Sequence, residues 1–152
     1  MADIHIEDFC KDSAKVLIQL YNAFPRRTSV YVEDIAGDDN PDEYGLHSNR
    51  HMACFGAMLW LAEEGFIRYI DTIKQEALDQ AVLSQRAMKL LSQVCTDPVV
   101  LDNDVALSAE DEASLPPQIA LDKKTYISIL REVIESGSST RITRVMQRLF
   151  LS

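Results

Sequence analysis

The sequence predicts an α+β fold that is mostly α and ends in a C-terminal helical hairpin. Several segments of ten or more residues carry apolar side chains at helical spacing. The middle of the chain holds runs rich in β-branched and aromatic residues, which favour strands. The chain has 152 residues, of which 47% are hydrophobic. That length and composition suit one domain with an appendage and its own core.

The first part of the chain reads as a helix, a short strand and a short second helix. Apolar residues of segment 6–24 share one side of a helix, which Pro25 ends. Residues 29–32 favour a strand, and residues 32–36 favour a turn of helix. An acidic loop is expected over residues 38–45.

A long third helix follows this loop. Ser48 or Asn49 is expected to cap its start. The apolar pattern continues to Glu64, and Gly65 stops it.

A hairpin and a fourth helix come next. Residues 66–73 and 77–83 predict two strands joined by a turn at 74–76. Ser84 is expected to cap a helix over residues 85–95.

The end of the third helix and the segment after the hairpin carry a recognisable pattern. The helix ends in a leucine, polar residues, a glycine and an apolar pair, and the hairpin is followed by an apolar residue, a serine cap and paired leucines. These residues are Leu61, Glu63, Glu64, Gly65, Phe66, Ile67, Leu83, Ser84, Leu90 and Leu91. In this pattern, residues 6–96 resemble a winged helix-turn-helix domain. The resemblance implies a DNA-binding regulator that inserts its third helix into the major groove.

The charge distribution divides the chain into three parts. The formal net charge is −9. Residues 97–122 hold seven acidic and no basic residues, together with three prolines, and predict an acidic connector. We therefore expect a winged-helix-like module over 1–96 and an amphipathic helical pair over 123–152. That pair must dock on the module or on a partner subunit, because it cannot bury its apolar stripes alone.

The helical pair is predicted over residues 123–136 and 140–151, with Gly137 ending its first helix. A basic stripe lines one flank of the last helix and consists of Arg141, Arg144 and Arg148. An ordinary solvated face is the favoured interpretation of this stripe. Pairing with acidic groups of this chain or a partner is a second interpretation, and contact with nucleic acid or an anionic membrane is a third.

The third helix is apolar almost all round, which is typical of a buried helix. Its outer side carries small residues beside a tryptophan, namely Ala53, Gly56, Ala57 and Trp60. Small residues allow a second helix to approach closely, and a tryptophan supplies contact area. We expect this side to be a protein interface, covered by the C-terminal pair or by a second subunit of a homodimer. The alternative is a plain core helix in a different fold.

These observations favour a non-enzymatic protein-protein interaction or regulatory module. The alternative is a DNA-binding transcriptional regulator of the winged-helix class. The resemblance then implies groove contacts from Ser48, Asn49, Arg50 and His51, and phosphate contacts from Arg26, Arg27, Arg68 and Lys74. The negative net charge disfavours DNA.

No catalytic, cofactor or metal site is expected. The motifs of serine hydrolases, phosphate-binding loops and zinc proteases are absent from the sequence. His47, His51 and Cys54 could share one helical face, but three such residues are a weak metal signal. The 38–49 segment begins like a calcium loop and then departs from the pattern, so a solvated loop is favoured.

The cysteines and the start of the chain predict a cytoplasmic protein. The cysteines are Cys10, Cys54 and Cys95, far apart and odd in number, as expected of reduced thiols. The first twenty residues are acidic and lack the apolar run of a signal peptide. No apolar stretch is long enough to cross a bilayer, so no membrane partner is expected.

Overall fold

The computed structural model describes residues 3–105 and 109–151, with only the backbone of Ala109. It is α+β and mostly helical, as predicted. The chain divides into two compact units, Met1–Met88 and Lys89–Ser152. The division falls inside the fourth helix, whereas the sequence predicted a module over 1–96 followed by a connector.

The first unit contains the predicted order of elements. The observed elements are α1 (Ile4–Ala23), β1 (Thr28–Tyr31), α2 (Val32–Ala36), α3 (Asn49–Glu63), β2 (Ile67–Arg68), β3 (Asp71–Ile73), β4 (Ala77–Leu83) and the start of α4 (Gln85–Ser92). The predicted strand over 66–73 is split into β2 and β3. The Ser48 hydroxyl accepts a hydrogen bond from the His51 backbone N–H, which confirms Ser48 as the cap of α3.

The sheet of the first unit is antiparallel and is built around β4. Its strand order is β1-β4-β2, and β3 also pairs with β4. Ile67 faces Leu83 at one end, and Thr72 faces Leu78 in the hairpin. The turn at 74–76 places Lys74 at a φ of 51°. The predicted hairpin is therefore confirmed.

The core of the first unit lies between the sheet and helices α1 and α3. Its fully buried large side chains are Leu17, Leu20, Met58, Leu61, Ile67 and Leu78. Each such side chain contributes roughly 1.5–3 kcal/mol relative to an exposed one. The core fixes which side of α3 faces outward.

The second unit is entirely helical among the described elements that lie wholly within it. These are α5 (Pro98–Asp104), α6 (Ala109–Ser114), α7 (Pro117–Asp122), α8 (Tyr126–Ser136) and α9 (Ser139–Phe150). The predicted connector over 97–122 thus contains three short helices, and α5 packs on α9. Helix α8 begins at Tyr126, three residues later than predicted, because the Thr125 side chain caps it. Gly137 ends α8 in the left-handed region, as predicted.

Within the described ranges 3–105 and 109–151, no helix combines the length and apolar composition that crossing a membrane requires.

Candidate functional site

The outward side of α3 carries an uncharged strip that we call the α3 outer face. It consists of Met52, Ala53, Gly56 and Trp60, all exposed. Trp60 and Met52 each expose 36% of their surface. Ala57, predicted to belong to this interface, is only 4% exposed and lies in the core. It shares the inward side of the helix with Cys54 and Leu61, three residues before and four after it.

Trp60 is held by an aromatic cluster. The Phe9 ring meets it edge-on with a centroid distance of 5.1 Å, and the Phe66 ring stacks on it at 6.2 Å. The Arg86 guanidinium lies 4.3 Å from the Phe66 ring centroid. The indole is therefore positioned in advance, with a third of its surface available.

Gly56 lies in the middle of α3, and nothing in the described part of the chain requires a glycine there. A Cβ built on it would have no heavy atom within 4 Å outside its own helical neighbourhood. Glycine inside a helix costs about 0.5–1 kcal/mol relative to alanine. Gly56 therefore lowers the stability of α3, and no contact described within the chain compensates for this loss.

Most of the helix residues that the DNA interpretation assigns to the groove make hydrogen bonds within the chain. Ser48 caps α3, and the side chain of Arg50 donates two hydrogen bonds to the buried Asp12 carboxylate at 2.5 and 2.7 Å. His51 is 3% exposed, and its Nε2 lies 2.7 Å from the Gln75 carbonyl oxygen. Asn49 is exposed. The positions predicted for phosphate contacts are also exposed: Arg26, Arg27, Arg68 and Lys74.

The basic stripe is paired within the second unit. Arg141 and Arg144 both bind the carboxylate of Asp104, whose side chain is 0% exposed. Arg148 lies 3.4 Å from Asp97. Arg141 and Arg144 therefore pair with an acidic residue of the same chain, as in the second interpretation, and the three arginine side chains keep 27–39% of their surface exposed.

A compact polar cluster is formed by Asp39 and His47 of the α2–α3 loop and by His51 of the first turn of α3. Asp39 Oδ2 is 2.6 Å from His47 Nδ1 and 3.5 Å from His51 Nδ1. The two imidazole rings are stacked with centroids 3.9 Å apart and an interplanar angle of 6°. His47 and His51 were singled out by spacing, whereas Asp39 was not, because a loop residue has no periodicity that could point to it.

Cys54 is not part of this cluster, because its side chain points into the core beside Asp12. Burial, followed by the Asp12 charge, raises the pKa of the Cys54 thiol to about 12. A thiol that stays protonated is a poor metal ligand and a poor nucleophile.

This raised pKa predicts a loss of stability in alkali. Between about pH 9 and pH 12, Cys54 is ionised in the unfolded chain but not in the folded chain. Ionisation therefore stabilises the unfolded state relative to the folded one. We expect the free energy of unfolding to fall more steeply above pH 9 in the native chain than in Cys54→Ala. Urea titrations at pH 8, 9 and 10 measure both slopes. Equal slopes would contradict the raised pKa.

Comparison with protein families, with curated proteins and with solved structures finds no match for this chain.

Proposed function

We propose that this chain is a non-enzymatic winged-helix protein that acts by binding another protein through the α3 outer face, and that the bound protein is a second copy of itself. Gly56 carries the proposal. It is exposed in the middle of a helix, and its missing side chain serves no described contact within the chain. A closely packed helix from outside accounts for it.

The spacing along α3 suits a symmetric pair. In an antiparallel arrangement of two α3 helices whose two-fold axis passes midway between Gly56 and Ala57, Trp60 of one copy lies opposite Ala53 of the other. Each indole then rests on a small residue, and the contact is self-complementary, as a two-fold interface requires. No charged residue lies on α3 between Arg50 and Glu63, so this pairing buries no charge within the helix.

DNA binding is the second candidate, supported by the order of helices and strands and by the exposed Arg68 and Lys74 of the hairpin. Two observations weigh against it. Arg50 is held by a buried carboxylate, and His51 is inside the protein. A net charge of −9 further opposes approach to phosphate.

Two substitutions on α3 test the proposed interface. Gly56→Ala is expected to stabilise the isolated chain by about 0.5–1 kcal/mol, since the Cβ meets open space, while weakening self-association. Trp60→Glu is expected to shift the dimer to monomer. Sedimentation velocity over a concentration series measures association, and urea unfolding measures stability.

Ile70→Glu is the matched control, because Ile70 is 60% exposed in the same unit but lies outside α3. It should leave association unchanged. A monomeric native chain, or a dimer that Trp60→Glu leaves intact, contradicts the proposed homodimer. Retention of native protein on duplex DNA at low salt, lost in the Arg68→Met, Lys74→Met double variant, would favour the DNA function instead.

A further inference from the structure

The second feature that calls for a ligand is the polar cluster at the start of α3, which shares no residue with the α3 outer face. His51 is its key member. The Gln75 carbonyl oxygen, 2.7 Å from His51 Nε2, can only accept a hydrogen bond, so Nε2 carries a proton. In the neutral ring, Nδ1 is then an unprotonated lone pair.

That lone pair has nothing to bind in the described chain. His51 Nδ1 is buried and makes no hydrogen bond. Its neighbour at 3.5 Å is the Oδ2 atom of Asp39, whose side chain is 1% exposed. An ionised carboxylate accepts hydrogen bonds and donates none. Two acceptors therefore face each other in a buried place, which is unfavourable unless a cation lies between them.

The two oxygens of Asp39 have different surroundings. Oδ1 accepts backbone hydrogen bonds from Asn40 at 2.9 Å and from Ser48 at 3.2 Å. Oδ2 lies 2.6 Å from His47 Nδ1 and 3.5 Å from His51 Nδ1. This arrangement fixes the carboxylate and leaves one oxygen directed at the cluster, as in metal sites whose carboxylate ligand is held by hydrogen bonds to its other oxygen.

A proton satisfies His47 more simply than His51. A neutral His47 ring protonated on Nδ1 donates a hydrogen bond to Asp39 Oδ2 at 2.6 Å. His51 already carries a proton on Nε2, so a second proton on its Nδ1 would make this buried ring a cation, stacked 3.9 Å from the His47 ring. A single divalent cation between the three atoms would satisfy both lone pairs and the carboxylate at once.

We propose that Asp39, His47 and His51 bind one divalent transition-metal ion of the zinc type, through Oδ2 and the two Nδ1 atoms. Ligand bonds of about 2.0–2.2 Å place tetrahedral ligands roughly 3.4 Å apart. The 3.5 Å between Asp39 Oδ2 and His51 Nδ1 already matches this spacing. His47 lies outside the helix, in the loop. Binding would move its Nδ1 from 2.6 Å to a bonding position and tilt its ring out of the stack, because an imidazole lone pair lies in the plane of its ring.

The fourth position of the ion is open to a water molecule. A cleft of about 200 Å³ adjoins the cluster, and its walls include Asp39, Asn40, Ser48 and His51. Such a cleft gives the ion a route of entry. The hydrogen bond from the His51 side-chain Nε2–H to the Gln75 backbone carbonyl oxygen would be the outer contact that orients this ligating histidine. The bound ion would join the acidic loop to the start of α3 and, through His51, to the hairpin turn.

Metal titration of the full chain, freed of ions with a chelator, tests the proposal. We expect calorimetry with Zn²⁺ to show one site per chain, and Co²⁺ to develop the visible absorption of a tetrahedral site. Asp39→Asn and His47→Ala should each lower the affinity about tenfold or more. His5→Ala should not, since His5 is exposed on α1. Circular dichroism of each variant verifies that it is folded.

Three results would overturn the proposal. Folded native chain that binds neither ion is the first. Binding that survives in folded Asp39→Asn and His47→Ala is the second. The third is a nitrogen NMR spectrum in which both ring nitrogens of His51 carry protons at neutral pH and Zn²⁺ changes nothing. None of these measurements depends on association through α3, so the metal site and the proposed function can fail separately.

Discussion

Replacing Arg141 and Arg144 together with methionine is expected to destabilise the second unit by about 3–5 kcal/mol. Their shared partner, Asp104, is 0% exposed and ends α5. Without the two guanidinium groups, its carboxylate is charged, buried and without a cationic partner among the residues that the structure describes. Methionine keeps most of the apolar stem of arginine, so the loss reports the charge pairing and not packing.

The single variants should be non-additive. Arg144→Met leaves Arg141 Nε 3.3 Å from Asp104 Oδ1, so we expect a loss of only about 1 kcal/mol. The sum of the two single losses should therefore fall short of the loss in the double variant. Urea unfolding followed by far-ultraviolet circular dichroism measures all three. Equal losses in the singles and the double would contradict a shared buried partner.

Arg148→Met is the matched control on the same helix. Its partner Asp97 is 21% exposed and Arg148 itself is 39% exposed. Pairs in contact with water contribute about 0–1 kcal/mol, so this variant should unfold close to the native chain. The contrast separates the buried pairing from a general effect of removing charge from α9.

The elements of the first unit could be predicted because each is encoded by a local sequence pattern. The 3.6-residue period of α1, the β-branched and aromatic residues around β2 and β3 and the serine before α3 act within a few residues. The short helices α5, α6 and α7 leave weaker marks, since six or seven residues span fewer than two turns. Pro98 and Pro117 are the first residues of α5 and α7, where proline favours the start of a helix, whereas α6 contains no proline.

The partners of charged residues were harder to predict, because pairing is a property of the folded chain. Asp104 and Arg144 are forty residues apart in the sequence, and Asp12 and Arg50 are thirty-eight residues apart. Asp39 lies eight residues from His47 across a loop without periodicity. Composition identified an acidic segment and a basic stripe, and only the packing of α5 on α9 showed that Asp97 and Asp104 of the segment pair with the arginines of the stripe.

The role of Arg50 also follows from a pairing that only the folded chain brings together, namely its contact with Asp12. Arg50→Met is expected to destabilise the first unit by about 3 kcal/mol, because it leaves the Asp12 carboxylate unpaired inside α1. Asp12 is 1% exposed, and Arg50 is its partner at 2.5 Å. The fluorescence of Trp60, the single tryptophan of the chain, reports unfolding of this unit in urea.

A double variant, Asp12→Asn with Arg50→Met, should recover much of that loss, because no unpaired charge remains buried. Arg68→Met, an exposed position on β2, should change stability by less than about 0.5 kcal/mol. If Arg50→Met instead unfolds like the native chain while losing retention on duplex DNA, then Arg50 serves an external phosphate or base, and the DNA function replaces the proposed interface. If stability falls as expected, a loss of DNA retention in this variant follows from unfolding, and the DNA function is tested instead at the exposed positions Asn49, Arg26, Arg27, Arg68 and Lys74.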